Sequence, residues 1–213
     1  MKPVVAIDGP AGSGKGTLAR MIASHFNFIY LDTGYLYRVF AYVDKPLLKM
    51  KSLSVSEILN IANKFTTEQL RSEENGVRAS HIAQIAEVRE IITNLQKEFI
   101  EIHSDKGIVL DGRDIGTVVV PDACCKLFIT ADLKERAKRR FNDLKDKNVT
   151  FSEVFNNMKI RDVQDKSRAI APLIYNESYT LIDTTKHSVD ESFKVCKEAV
   201  KQAFMRSEFK ELV

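Results

Sequence analysis

One stretch, Val4–Thr17 (VVAIDGPAGSGKGT), constrains the fold of this chain more than any other. Val4-Val5-Ala6-Ile7-Asp8 is a short apolar, β-branched run that stops at Gly9-Pro10, the pattern of a strand buried on both faces of a parallel sheet. Leu18, Met21, Ile22 and Phe26 then recur at helical spacing, so a glycine-rich turn joins a buried strand to a helix. In that setting G-x-x-x-x-G-K reads as a phosphate-binding loop, formed by Gly9, Pro10, Ala11, Gly12, Ser13, Gly14, Lys15, Gly16 and Thr17. Glycines let successive N–H groups point inward, and the helix start adds its positive dipole end. Lys15 would place a compact charge against the β- and γ-phosphates of ATP. The residue after Lys15 is Gly16, and the hydroxyl follows at Thr17. That GKGT form implies Mg²⁺ held chiefly by water and phosphate, with Thr17 nearby.

The rest of the chain alternates strands with helices. Strands are expected at Phe28–Leu31, Ile108–Leu110, Lys126–Ile129 and Thr180–Ile182, and helices at about 34–43, 55–65, 77–103, 132–147, 151–166 and 188–206. This alternation predicts a three-layer α/β fold around a five-stranded parallel sheet. Ligands in such sheets sit beyond the carboxyl ends of the strands. Four strands here end at polar clusters: Asp8-Gly9, Asp32-Thr33, Asp111-Gly112-Arg113-Asp114 and Asp183-Thr184. A single kinase domain is expected, with a core of 1–40, 104–131 and 171–213. A short helical insert over about 41–103 would receive the acceptor, and a charged helical lid would span about 132–170.

Composition narrows the class. With 213 residues, 44% hydrophobic and 29% charged, the chain can bury an ordinary core. A net charge of +3 is too mild for a general nucleic-acid binder. The N-terminal apolar run is too short for a secretory signal, and no stretch reaches membrane-spanning length. Three cysteines, with Cys124 and Cys125 adjacent, suit reduced thiols and a cytoplasmic location. His25, His81, His103 and His187 lack metal-ligand spacing. No nucleic acid or membrane partner is expected, and a monomer is.

Phosphoryl transfer to an anionic acceptor must overcome repulsion. Two unit charges about 4 Å apart interact by about 4 kcal/mol at an effective dielectric near 20. Forked guanidinium groups suit phosphate oxygens best. Arg38 follows the second strand, and Arg113 with Asp114 follows the third. Arg161, Asp165 and Arg168, spaced four and three apart, share a helical face, as do Arg136, Arg139 and Arg140. A lone surface arginine is usually only a solvated charge. Arg113, between Gly112 and Asp114 at a strand end, does not fit that description.

Four blocks together resemble the bacterial cytidylate kinase family in order and spacing: GPAGSGKGT, LDTGYLYR, DGRDIGTVV-x-PDA and RD-x-x-D-x-x-RAIAPL. The similarity covers nearly the whole chain and is weakest over 41–76. It implies transfer of the ATP γ-phosphoryl group to CMP or dCMP, a phosphate group being the acceptor. By position, Arg38, Arg113 and Arg168 would meet the acceptor phosphate. Ser80, Arg89 and Asp114 would read the cytosine edge, while Arg161 and Asp165 would meet phosphate and sugar. Thr33 stands where the family commonly has Ser. Lid arginines Arg136, Arg139, Arg140 or Arg161 would close on ATP. Apart from the resemblance, Ser80 reads as a helix cap and Arg89 as a surface charge. The segment between Arg38 and Ser80 is shorter than the family's insert and reads helical, without the small antiparallel sheet.

Three rival readings remain open from the residues. A kinase for UMP, AMP or a shikimate-like acceptor would share the loop. A GTP-dependent switch would need N-K-x-D, and the one Asn-Lys pair, Asn63-Lys64, is followed by Phe65-Thr66. A polynucleotide-stimulated ATPase would need a larger basic surface than +3 supplies.

Overall fold

The computed structural model describes residues 1–43, 50–144 and 149–213. Five strands form one sheet in the order β2-β3-β1-β4-β5: β1 (Lys2–Asp8), β2 (Ile29–Asp32), β3 (Ile108–Gly112), β4 (Ala123–Thr130) and β5 (Thr180–Asp183). The β1–β3, β1–β4 and β4–β5 pairs are parallel, and Asp8 lies opposite Gly112 on one side and Phe128 on the other. Strand order reverses at β1, so a crevice opens at its carboxyl end, where the glycine-rich loop begins. All five predicted strands are present. β1 and β4 are longer than the apolar runs suggested, because pairing of Lys2 with Ala123 extends both toward their amino ends.

Among the described residues the helices are α1 (Lys15–Phe26), α2 (Thr33–Val43), α3 (Val55–Ala62), α4 (Thr67–Arg71), α5 (Glu73–Ile82), α6 (Ala86–Ile102), α7 (Leu133–Asp143), α8 (Phe151–Ser167) and α9 (Val189–Met205). None of them is long and apolar enough to cross a membrane.

Two compact units divide the chain. The first comprises Met1–Leu31 and Asp105–Val213, and the second Asp32–Ser104. In the first, α1 and α9 supply Leu18, Ile22, Val200 and Phe204 to a core shared with Val5, Ile7, Leu127 and Ile129 of the sheet. Each such side chain contributes roughly 1.5–3 kcal/mol on burial. α7 and α8 carry a small core of their own, Ala137, Val154 and Met158, against which Ala11 of the glycine-rich loop packs. The loop is therefore anchored on the α7–α8 hairpin as well as on β1.

Past Asp32, the regular elements of the second unit's described residues are all helices, as the sequence suggested, while 44–49 lie outside them. One expectation is corrected. The helix predicted over 77–103 is two helices, α5 and α6, broken at Ala83–Ile85, where Ile85 is extended (φ −81°, ψ 122°). The break is stabilised by Arg89, whose Nη1 donates to the Ala83 carbonyl at 3.1 Å. Likewise α7 ends at Asp143 rather than 147, with Leu144 extended and 145–148 outside the described residues. The helix predicted over 55–65 stops at Ala62.

Candidate active site

The glycine-rich loop has the backbone geometry its sequence requires. Gly9 adopts φ 153°, and a Cβ there would fall 1.9 Å from the Ile129 carbonyl oxygen, so β1 passes β4 too closely for any other residue. Gly14 caps α1 in the left-handed region with no side-chain cap, and the first turn of α1 holds no acidic residue. Its leading N–H groups therefore carry no acidic side chain of their own turn, which leaves the positive end of the helix available to an anion. Lys15 Nζ donates to the Pro10 carbonyl at 3.0 Å, bending back across the loop. Ser13 is 0% exposed, and its hydroxyl has no protein partner among the described residues. A buried hydroxyl left so costs about 1–3 kcal/mol unless a ligand satisfies it. Thr17 is exposed at the surface of the same turn.

Three predicted arginines of the first unit converge. Arg113 Nε donates to Asp165 Oδ2 at 2.9 Å, and its Nη1 donates to the Gly112 carbonyl at 3.0 Å. Arg168 lies 3.8 Å from Asp165 and 3.6 Å from Asp114. Burial raises the Asp165 carboxyl, but Arg113, Arg161 and Arg168 outweigh it and hold the group below the usual carboxylate range. Arg113 keeps N–H donors on Nη1 and Nη2 for a further acceptor. Arg168 reaches this cluster differently from the helical face its spacing suggested. It is the residue beyond α8, extended at φ −60°, ψ 141°, and its Nε returns to the Ala171 carbonyl at 2.6 Å. Ala171 itself has φ 50°, an uncommon conformation for a residue with a Cβ, so the turn is strained next to the cluster.

The α7 arginines are engaged by protein atoms. Arg136 is 4% exposed; its Nε donates to Ala131 O, its Nη1 to Ala11 O, and both Nη groups to Asp162. Arg139 donates to the hydroxyl and the carbonyl of Thr184 and pairs with Glu135. Arg140, expected on the same face, is half-buried.

The second unit holds the other predicted residues. Arg38 Nη1 donates to the Leu70 carbonyl at 3.0 Å, and Asn75 ties Arg38 O to Leu70 O. Gly76 passes beside that guanidinium, where a Cβ would sit 3.2 Å from Arg38 Nη2. Thr33 is buried at the start of α2. Arg89 is not the surface charge its residue type suggested: it is 4% exposed and lies over the Tyr37 ring at 5.7 Å. Ser80 lies inside α5, not at a cap.

Sequence reasoning missed several participants. Asp8 is 0% exposed and accepts from Ile115 N, Gly116 N and the Tyr179 hydroxyl. Burial pushes its carboxyl upward, against those three donors. Asp111, buried at the end of β3, accepts from Tyr30 OH at 3.1 Å and lies 3.2 Å from where a Gly16 Cβ would be. Asp162 and Thr184 hold the α7 arginines. The one available signal was the position of Asp8, Asp111 and Thr184 at strand ends.

Known proteins resemble this chain along nearly its whole length. The chain is 40% identical over 210 residues to a cytidylate kinase of Thermosipho africanus, covering 92% of this chain and 93% of the relative. It is 39% identical to that of Aquifex aeolicus over 226 residues, 98% and 99% of the two chains. A shikimate kinase from Bacteroides thetaiotaomicron superposes with a TM-score of 0.50 at 13% identity, covering 92% of this chain and 96% of that one, a likeness of fold. An uncharacterized protein from Eubacterium ventriosum does so at 0.55 and 16%, covering 92% and 97%. The sequence model of the family described as cytidylate kinase matches residues 5–204. With the phosphate loop and the arginine cluster in one unit and relatives matched end to end, this chain belongs to the cytidylate kinase family.

Proposed function

We propose that this chain transfers the γ-phosphoryl group of ATP to CMP or dCMP, giving ADP and CDP or dCDP. The observation that carries the reading is the convergence of Arg113, Arg161 and Arg168 on Asp165, within the unit that holds the phosphate loop. An acceptor phosphate oxygen attacks the γ-phosphorus in line, and the bond to the β–γ bridging oxygen breaks. A phosphate monoester is already ionised near neutral pH, so no general base is required. Catalysis is alignment and charge stabilisation. Lys15 and the amides of Gly9–Thr17 hold the polyphosphate. Arg38, Arg113 and Arg168 receive the acceptor phosphate, and Arg161 with Asp165 orients phosphate and sugar. Asp114 reads the base, and the family resemblance assigns Arg89, Ser80 and Thr33 of the second unit to the same nucleotide. Asp114 would accept from the exocyclic amine of cytosine and would oppose the carbonyl of uracil, leaving a buried acceptor unpaired.

Mg²⁺ fits a sparse protein donor set, because it keeps several waters and binds through few carboxylates or hydroxyls. Among the described residues no three His, Cys, Asp or Glu side chains form a metal cluster. Thr17, with Asp111 nearby, would hold it through water, and the bound ion would neutralise charge on the β- and γ-phosphates. Residues 132–170 act as a lid that excludes water. We assign a monomeric, cytoplasmic enzyme. An ADP-release assay across CMP, dCMP, UMP and AMP tests the assignment; CMP and dCMP should lead by at least about tenfold in kcat/KM, the least that a mismatched buried hydrogen bond predicts. Equal rates on UMP or AMP would overturn it.

A further inference from the structure

We propose that Arg136, Arg139 and Thr184 are positioning residues for the phosphate loop, fixing two of its carbonyls outward so that its amides face the polyphosphate. Turning a loop's N–H groups inward sends its carbonyls out, and buried carbonyls need donors of their own. Three such carbonyls are satisfied here. Pro10 O accepts from Lys15 Nζ, Ala11 O from Arg136 Nη1 at 3.0 Å, and Ser13 O from Thr184 Oγ1 at 3.0 Å. The first donor is the lysine assigned to phosphate. The other two belong to the buried side chains of Arg136 and Thr184.

The chemistry of each donor supports positioning over ligation. Arg136 uses four of its five N–H groups on protein: one to Ala131 O, one to Ala11 O and two to Asp162. Its charge is already paired, and its fork is held by the end of β4 and by α8. The Thr184 hydroxyl has a single hydrogen. Arg139 Nη1 donates to that oxygen at 2.9 Å, which turns the hydrogen toward a carbonyl, Ser13 O at 3.0 Å or Thr130 O at 3.2 Å. Arg139 Nη2 also holds the Thr184 carbonyl at 2.7 Å, so the residue cannot swing away. Two arginines three apart on α7 thus brace the loop, one directly and one through Thr184. The sequence had suggested instead that they touch ATP.

This inference rests on the phosphate-loop reading and deepens it. The test is calorimetric binding of tripolyphosphate, ATP and adenosine to the full chain, with kcat and KM for ATP alongside. Thr184→Val removes one hydroxyl at constant shape. It should weaken tripolyphosphate and ATP roughly 3- to 10-fold, the size of one lost hydrogen bond, and raise KM for ATP in step, leaving adenosine unmoved. Asp162→Asn separates the two roles of Arg136. A positioning residue loses its anchor and phosphate binding weakens; a direct ligand is released from its counter-ion and phosphate binding holds or tightens. Unchanged tripolyphosphate affinity in Thr184→Val, or unchanged or tighter binding in Asp162→Asn, overturns the proposal while the loop reading stands. A wild-type chain that binds neither tripolyphosphate nor ATP would overturn both.

Discussion

Tyr179 donates its hydroxyl to Asp8 over 2.7 Å, joining the turn before β5 to the last residue of β1. The same carboxylate accepts from Ile115 N and Gly116 N, both at 2.9 Å, and so fixes the five-residue π-helical turn Ile115–Val119. That turn follows Arg113 and Asp114 directly. Gly116 lies against the phenol, where a Cβ would come within 2.6 Å of the Tyr179 oxygen. One buried carboxylate therefore sets the start of the phosphate loop and the aim of the arginine-aspartate pair together.

Tyr179→Phe leaves Asp8 one donor short inside the core. We expect a loss of about 1–3 kcal/mol in urea unfolding. Through the shifted turn, KM for CMP should rise several-fold while KM for ATP stays within about twofold. Parallel rises in both constants would show a general loosening instead.

Asp165 gives the fold an acid-sensitive contact. Its folded-state pKa is depressed, so its contribution is present above the unfolded carboxyl value, about 3.9, and fades as pH falls through that value toward the folded one. Asp165→Asn leaves three arginines facing one another and should cost about 2–4 kcal/mol at pH 7. The gap between wild type and variant should close below about pH 4. A gap independent of pH would refute the ion-pair account.

Asp114→Ala should abolish most of the preference for CMP over UMP, lowering the ratio of their kcat/KM values by at least about tenfold. Rates on the two acceptors give the result directly, and an unchanged ratio would remove Asp114 from base reading.

Gly9 and Gly16 should respond differently to a methyl group. Gly9→Ala sets a Cβ 1.9 Å from the Ile129 carbonyl and should destabilise the fold by more than about 4 kcal/mol, or prevent folding. At Gly16 the nearest atom is Asp111 Oδ2 at 3.2 Å, a side chain that can yield. Gly16→Ala should fold with a loss under about 1.5 kcal/mol, with its effect concentrated in the Mg²⁺ dependence of the rate. Thermal unfolding of the two variants distinguishes these outcomes.

What the sequence determined by itself was whatever is written locally. The phosphate loop lies in nine consecutive residues whose backbone needs, glycine at tight positions and a lysine at the helix start, are read from residue type alone. The sheet was readable because central strands are unbroken apolar runs, and the Arg161–Asp165 spacing because a helix has a fixed period, although Arg168 lies just past the end of that helix. Tertiary structure decided which charges pair. Arg136 is the same residue type as Arg140, about one helical turn further along, yet it is buried because Asp162, on the next helix, comes within reach of its fork. Arg89 is buried because the chain breaks at Ala83–Ile85 and leaves a carbonyl for it. Asp8 and Tyr179 meet across 171 positions, a separation over which no periodicity carries information. Local patterns reflect backbone geometry; the fate of a buried polar group depends on which donor the fold delivers to it, and only packing decides that.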